Sequence, residues 1–174
     1  LFVPARGGIG EAITVQANSV SARMAAKANG NHRALYVPEQ LSLATYNSLL
    51  NEPSIQEVLN LISEANCVIH SIGRALHMAA RRKMTEKELV MLKQANAVAE
   101  SFGYFFNEKG EVVYKVPRIG IELQDLAKVP IIMAIAGGKS KAKAIRAYMK
   151  NAPKQTWLIT DEAAANEILK GVTL

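Results

Sequence analysis

Short apolar segments alternate with helical segments along most of this chain, and this alternation constrains the possible fold more than any other feature. Between the apolar segments, hydrophobic residues recur at three- and four-residue spacing, which is typical of amphipathic helices. Strands that alternate with helices predict an α/β fold with a mostly parallel sheet and helices on both faces. The predicted strands are Leu1–Val3, Ala34–Val37, Cys67–Ile72, Pro130–Ala136 and Thr156–Thr160.

Local signals mark the start of two helices and one change of pattern. Thr85 and Asp161 are predicted N-caps, because hydroxyl and carboxylate oxygens accept the free N–H groups of a first helical turn. Ser101–Phe106 and Glu111–Val116 flank the turn Asn107–Gly110 and predict a β-hairpin. We expect this hairpin to be either an insertion or an antiparallel edge of the sheet.

Length and composition favour one globular domain spanning residues 1–174. The chain is 49% hydrophobic and 21% charged, which suits a packed core under a solvated surface. No apolar run approaches the roughly 20 residues that cross a bilayer, so we expect no membrane partner. A single cysteine cannot form an internal disulfide, which fits a reducing cytoplasm. The single cysteine, Cys67, lies in an apolar run and is predicted to be buried. The three histidines share no ligand spacing with Cys67, so neither a metal nor a cofactor is expected.

Two predicted strands end in glycine pairs with basic residues close by. The first is followed by PARGGIG at residues 4–10 and the fourth by GGKSK at residues 137–141. Glycines allow close backbone approach, and a helix N-terminus with a cation nearby favours phosphate. The net charge of +6 also suits an anionic partner. The pattern therefore favours a phosphate ester over the alternative of two ordinary glycine-rich turns.

Neither loop matches a nucleotide motif. A Walker A loop that ends at residues 138–140 would need glycine where Met133 stands, and a dinucleotide fingerprint would need glycine or alanine in place of Ile13. A smaller phosphate ester is left. Gln16 and Glu100 are candidate partners for sugar hydroxyls, against the alternatives of a surface glutamine and a structural carboxylate.

Three segments of the chain are similar to a known family. They are LFVPARGG at residues 1–8, AESFGYF at residues 99–105 and AIAGGKSKAKAI at residues 134–145. With nearly the whole chain, they resemble the effector-binding domain of the central glycolytic genes regulators, bacterial repressors of the SorC/DeoR-like family. The resemblance implies a fold like that of the phosphosugar isomerases. It also implies a phosphorylated sugar as effector, with fructose 1,6-bisphosphate preferred.

The resemblance further implies a homo-oligomer whose assembly changes on effector binding and so releases operator DNA. In this family the DNA is bound by an N-terminal helix-turn-helix domain, which these residues do not contain. The family's upstream phosphate loop, rich in glycine and threonine, is also missing from the sequence. We therefore expect the chain to lack the N-terminal part of its effector domain and the DNA-binding domain before it.

The resemblance also implies five ligand-binding residues and no catalytic residue. Arg6 would pair with one phosphate and Arg81 with the phosphate at the other end. Gln16 would hydrogen-bond the ligand, and Glu100 would accept protons from sugar hydroxyls. Lys141 would meet a phosphate or sugar oxygen.

Two other functions remain open from the residues alone. A phosphosugar isomerase on the same fold would need a general base, for which Glu100 is the candidate, although no acid partner is evident. Direct nucleic-acid binding through the basic surface would be weak and salt-sensitive, because no recognition motif is present.

Overall fold

The computed structural model describes residues 1–8, 13–38 and 41–170, which divide into two compact units. The first unit comprises Leu1–Asn66 and Val116–Val129, and the second comprises Cys67–Lys115 and the described residues from Pro130 onward. The chain passes from one unit to the other at residues 66–67, 115–116 and 129–130, each beside the start or end of a strand. No polar linker in the sequence marks these positions. That residues 1–174 form one domain stays a prediction.

Helices dominate the first unit. They are preceded by a short 3₁₀ turn over Ile13–Val15. Ser42 caps the second helix by accepting a hydrogen bond from the Thr45 N–H at 3.2 Å, and the third helix begins at a proline, whose missing N–H costs nothing there. The helices of this unit are α1 (Ala17–Lys27), α2 (Leu43–Leu50), α3 (Pro53–Ser63) and α6 (Leu123–Leu126).

The two strands predicted in the first unit are wrong. Among the described residues, Leu1–Val3 and Ala34–Val37 form no continuous ladder, and single parallel bridges join Phe2 to His32 and Gly8 to Pro38. The ladder is interrupted because Pro4 has no N–H to donate. The next donor, the Leu35 N–H, bonds the Asn18 side-chain oxygen at 2.9 Å instead of the neighbouring chain.

A three-stranded parallel sheet forms in the second unit and confirms the α/β class. Its central strand pairs with both neighbours, with Cys67 opposite Ile131 and Ile132 opposite Thr156. On one face Val68, Ile132 and Ala134 are buried. In spatial order the strands are β1 (Cys67–His70), β6 (Ile131–Ile135) and β7 (Thr156–Ile159).

The predicted hairpin is confirmed around the turn Asn107–Gly110, and it belongs to a four-stranded antiparallel sheet in the same unit. Its first strand begins at Tyr104 and not at Ser101, because Phe102 and Gly103 form a separate turn with positive φ angles. Two of these strands were missed in the sequence, because β2 is only two residues long and β3 shows no alternation of apolar and polar residues. The strands are β2 (Gly73–Arg74), β3 (Ala97–Ser101), β4 (Tyr104–Asn107) and β5 (Val112–Lys115).

Both predicted N-caps of the second unit are confirmed. Thr85 and Glu88 form a reciprocal capping box, in which Glu88 Oε2 accepts from the Thr85 N–H at 2.8 Å. Asp161 Oδ1 accepts from the Ala164 N–H at 2.7 Å. The helices here are α4 (Ala75–Arg81), α5 (Glu86–Gln94), α7 (Ala142–Met149) and α8 (Glu162–Leu169).

The predicted burial of Cys67 is wrong, because this residue is exposed at the start of β1. Its apolar run suggested burial on both faces, but exposure alternates along the strand. Over the described ranges, no helix is long and apolar enough to cross a membrane. In the same residues, no group of three or more histidine, cysteine or acidic side chains is arranged to hold a metal ion.

Candidate functional site

The first glycine loop is fixed by backbone pairing within the first unit. The Gly7 N–H donates to the Ile119 carbonyl at 3.2 Å, and the Ile121 N–H donates to the Ala5 carbonyl at 2.8 Å. A Cβ on Gly7 would stand 2.6 Å from the Val37 carbonyl oxygen, so only glycine fits there. The partly buried Arg6 side chain folds back, and its Nη1 donates to the Gly7 carbonyl at 3.2 Å.

Gln16 lies against the same loop. It occupies the N-cap position of α1, although its side chain makes no capping hydrogen bond. A Cβ on Gly8 would stand 3.2 Å from Gln16 Oε1, so the amide and the loop backbone are in close proximity. The structure thus brings two of the predicted ligand-binding residues, Arg6 and Gln16, to one loop. The sequence pattern also predicts a helix from Gly10 to Ala28, and the first residues of that helix, 10–12, lie outside the described residues.

Glu100 is buried in the second unit, where its partner is Arg82. Glu100 Oε1 accepts from Arg82 Nη2 at 2.8 Å and from the Gly103 N–H at 2.7 Å. The Arg82 guanidinium also lies 5.8 Å from the centre of the Phe105 ring. This arrangement gives the Glu100 carboxylate a structural role at the junction of α4, β3 and β4.

Arg81, the phosphate contact that the family resemblance implies, is exposed, whereas its neighbour Arg82 is buried. Arg81 ends α4 in solvent, whereas Arg82 is 4% exposed. One signal could have identified the buried arginine: Ala75, Ala79 and Arg82 lie at four- and three-residue spacing on the buried side of the helix. The ligand contact proposed for Arg81 stays a prediction.

The second glycine loop leads into α7 through a 3₁₀ turn over Lys139–Lys141. Gly138 has a φ of 93°, a left-handed conformation that glycine adopts readily. The Lys141 N–H donates to the Gly138 carbonyl at 2.8 Å, and the lysine side chain is partly buried at the helix start. Lys139, by contrast, is exposed, and its ammonium nitrogen lies 3.8 Å from the Glu167 carboxylate on the surface.

Asp161 joins this loop to the start of α8. The cap of α8 was predicted, but local sequence patterns could not predict the link to the loop. Its Oδ2 accepts from the Gly138 N–H at 2.6 Å while its Oδ1 caps α8. The carboxylate therefore occupies one of the backbone donors that a phosphate could otherwise use. No sequence signal pairs residues 138 and 161, because they are 23 positions apart.

His70 lies partly buried in a polar cluster at the carboxyl end of β1. Its Nδ1 lies 3.0 Å from Ser101 Oγ and its Nε2 lies 3.3 Å from the Tyr148 hydroxyl. Because the Ser101 hydroxyl donates to the Ser71 carbonyl, it accepts from Nδ1–H, and Tyr148 donates to Nε2. Burial lowers the pKa of His70 to about 4, so the ring is neutral at physiological pH.

The five predicted ligand-binding residues fall into two groups. Arg6 and Gln16 belong to the first unit, and Arg81, Glu100 and Lys141 belong to the second. Within the second unit, Glu100 is engaged by Arg82, Arg81 points into solvent, and Lys141 lies at the start of α7.

The chain matches one protein family along almost its whole length. Residues 1–170 match the family model described as "Putative sugar-binding domain". The chain is also 51% identical over 170 residues to the central glycolytic genes regulator of Bacillus subtilis, with 98% of the chain and 50% of the relative covered. The regulator of the same name from Priestia megaterium is 51% identical, with 49% of that protein covered. The chain thus spans about half the length of the curated relatives it matches.

A solved structure agrees with this assignment. The structure described as a "putative SorC family transcriptional regulator from Enterococcus faecalis" is 80% identical, and the match covers 96% of this chain and 68% of that chain. The TM-score of 0.89 shows that the two have the same fold. The chain therefore belongs to the family of sugar-binding domains found in SorC-type transcriptional regulators.

Proposed function

We propose that this chain is the effector-sensing domain of a repressor of glycolytic genes, with a phosphorylated sugar as its effector. Its 51% identity to a regulator of central glycolytic genes along 98% of its length is the observation that carries the proposal. Fructose 1,6-bisphosphate is the preferred ligand in this proposal. Binding would change how protomers assemble and so reduce operator binding by a DNA-binding domain outside these residues.

Each glycine loop, taken by itself, has a basic residue that supports the binding of a phosphate group at that loop. Arg6 and Gln16 lie at the first loop, and Lys141 lies at the start of α7, whose first turn contains no acidic residue. Cations and backbone donors at such positions favour phosphate. Because Glu100 Oε1 already accepts two hydrogen bonds, its proposed contact with sugar hydroxyls would use Oε2.

Thermal melting with candidate ligands tests the proposal. Fructose 1,6-bisphosphate at about 100 times its dissociation constant should stabilise the fold by about 2.7 kcal/mol. Fructose 6-phosphate and inorganic phosphate serve as controls for a general anion effect. A melting temperature that the bisphosphate leaves unchanged, both in this chain and in the longer polypeptide, would contradict the proposal.

Catalysis is not part of this proposal. Glu100, the candidate base for an isomerase, is buried in an ion pair with Arg82. We therefore expect a coupled assay to detect no interconversion of glucose 6-phosphate and fructose 6-phosphate. Turnover that is lost in Glu100→Gln would establish the isomerase instead.

A further inference from the structure

One face of the parallel sheet is apolar and open to solvent. The strand register places Ile69 beside Met133, Met133 beside Trp157, and Ile135 beside Ile159. Trp157 is 67% exposed and Ile135 and Ile159 are 45% and 46% exposed, whereas Ile132 on the opposite face is fully buried. We call this surface the open face; it consists of Cys67, Ile69, Ile131, Met133, Ile135, Trp157 and Ile159.

A face that no described residue covers is unusual for a parallel sheet. Parallel sheets have both faces covered, and helices supply the cover. Contiguous apolar patches on a protein surface mark interaction sites, because covering them removes apolar area from water at about 25 cal/mol per Å². The open face is therefore the docking surface for another element.

The dimensions of the open face fit a single helix. Strands in a sheet lie about 4.8 Å apart, so the outer strands of three are roughly 10 Å apart. An α-helix with its side chains is about 10–12 Å wide. A strand of five residues is roughly 16 Å long, which about eleven helical residues span. One amphipathic helix of about three turns, laid along the strands, would cover it.

The matched solved structure indicates where such a helix could come from. At 80% identity the match covers 96% of this chain but only 68% of the other chain, so about a third of that chain lies outside the match. We propose that an amphipathic helix from a segment of the polypeptide outside these 174 residues covers the open face. A second copy of the chain is the less suitable occupant, because it would place this parallel sheet against another sheet, whereas parallel sheets are covered by helices.

Trp157 reports directly on this cover, because it is the only tryptophan among the 174 residues. Acrylamide quenching would be measured in this chain and in the longer polypeptide, each with a Trp157→Phe variant to isolate the signal. We expect several-fold slower quenching in the longer polypeptide, and quenching independent of concentration in this chain alone. Equal quenching in the two would overturn the proposal. Protection that appears with self-association of this chain would also overturn it, in favour of a second copy.

A pair of matched variants tests the same surface through stability. Ile135 and Val112 are exposed β-branched residues on strands, but Val112 lies on β5, outside the open face. In the longer polypeptide, Ile135→Lys should lower the melting temperature by at least about 5 °C more than Val112→Lys, because it buries a charge under the helix. Equal shifts would contradict the cover. If Ile135→Lys does not fold, thiol labelling of wild-type Cys67 decides: the longer polypeptide should label more slowly, and equal rates overturn the proposal.

Discussion

The Arg82 guanidinium donates to the Glu100 carboxylate at 2.8 Å, and both side chains are almost completely buried, at 1% and 5% exposed. Removing one member of a buried ion pair leaves an uncompensated charge, which costs about 3–5 kcal/mol. We expect Arg82→Met to reduce the free energy of unfolding in urea by about this amount. Arg81→Ala, one residue earlier and exposed, should change it by less than about 0.5 kcal/mol. The double variant Arg82→Met with Glu100→Leu should recover more than half of this loss. Equal losses of stability in Arg82→Met and Arg81→Ala would contradict the structural role of the ion pair.

Stability should depend on pH through His70. Burial lowers the pKa of His70 to about 4, below the value of 6.5 expected in the unfolded chain. Between these values the unfolded state binds a proton that the native state does not, so stability falls as the pH drops. From about pH 7.5 to about pH 5 the loss attributable to His70 is roughly 2 kcal/mol.

The measurement is urea unfolding across that pH range in wild type and His70→Gln. The variant should show a flatter dependence, because the titrating group is gone. His77→Gln is the matched control, since His77 is exposed on α4, and it should keep the wild-type slope. An unchanged slope in His70→Gln would show that other groups cause the acid sensitivity.

Asp161 should stabilise two helix starts at once. Its carboxylate accepts from the Gly138 and Ala164 N–H groups at 2.6 Å and 2.7 Å. Asp161→Ala removes both acceptors and should cost about 1–2 kcal/mol. Hydrogen exchange of both amides should accelerate, whereas Asn166→Ala on the exposed side of α8 should leave both protected. Faster exchange at Ala164 alone would show that Asp161 does not hold the glycine loop.

Lys141 should contribute to bisphosphate binding more than its neighbour Lys139. One charge-assisted hydrogen bond contributes about 1.5–3 kcal/mol, so Lys141→Ala should weaken binding roughly tenfold to a hundredfold. Lys139 is 3.8 Å from Glu167 on the surface, and Lys139→Ala should change affinity little. Isothermal titration calorimetry measures the affinity of both variants. Equal losses of affinity would show that the two lysines act only through their positive charge and not through a specific contact of Lys141.

Arg81 should determine the preference for a second phosphate. If it contacts that group, Arg81→Ala should bind fructose 1,6-bisphosphate and fructose 6-phosphate with similar affinity. Arg146→Ala, which removes an exposed cation from α7, should retain the wild-type preference. A calorimetric preference that survives in Arg81→Ala would remove this residue from the site.

Several elements were predictable because their causes are local in sequence. The capping box of Thr85 and Glu88, the Asp161 cap and the hairpin of β4 and β5 each depend on residues a few positions apart. The glycine pairs after Val3 and Ala136 are also local features, but the phosphate binding predicted for them stays a prediction. Neighbouring residues set backbone conformation directly, so these features needed no knowledge of the tertiary structure.

Other features were decided only by tertiary structure, because they join residues far apart in sequence. The inward arginine is Arg82 because Glu100, 18 positions later, lies in reach of it. Asp161 holds Gly138 across 23 positions, and Tyr148 meets His70 across 78. Besides the missing N–H of Pro4, the hydrogen bond from the Leu35 N–H to Asn18, 17 positions away, keeps Leu1–Val3 and Ala34–Val37 from forming a ladder. A sequence specifies which groups are available to bond or to be buried, but the packed chain determines which of them meet.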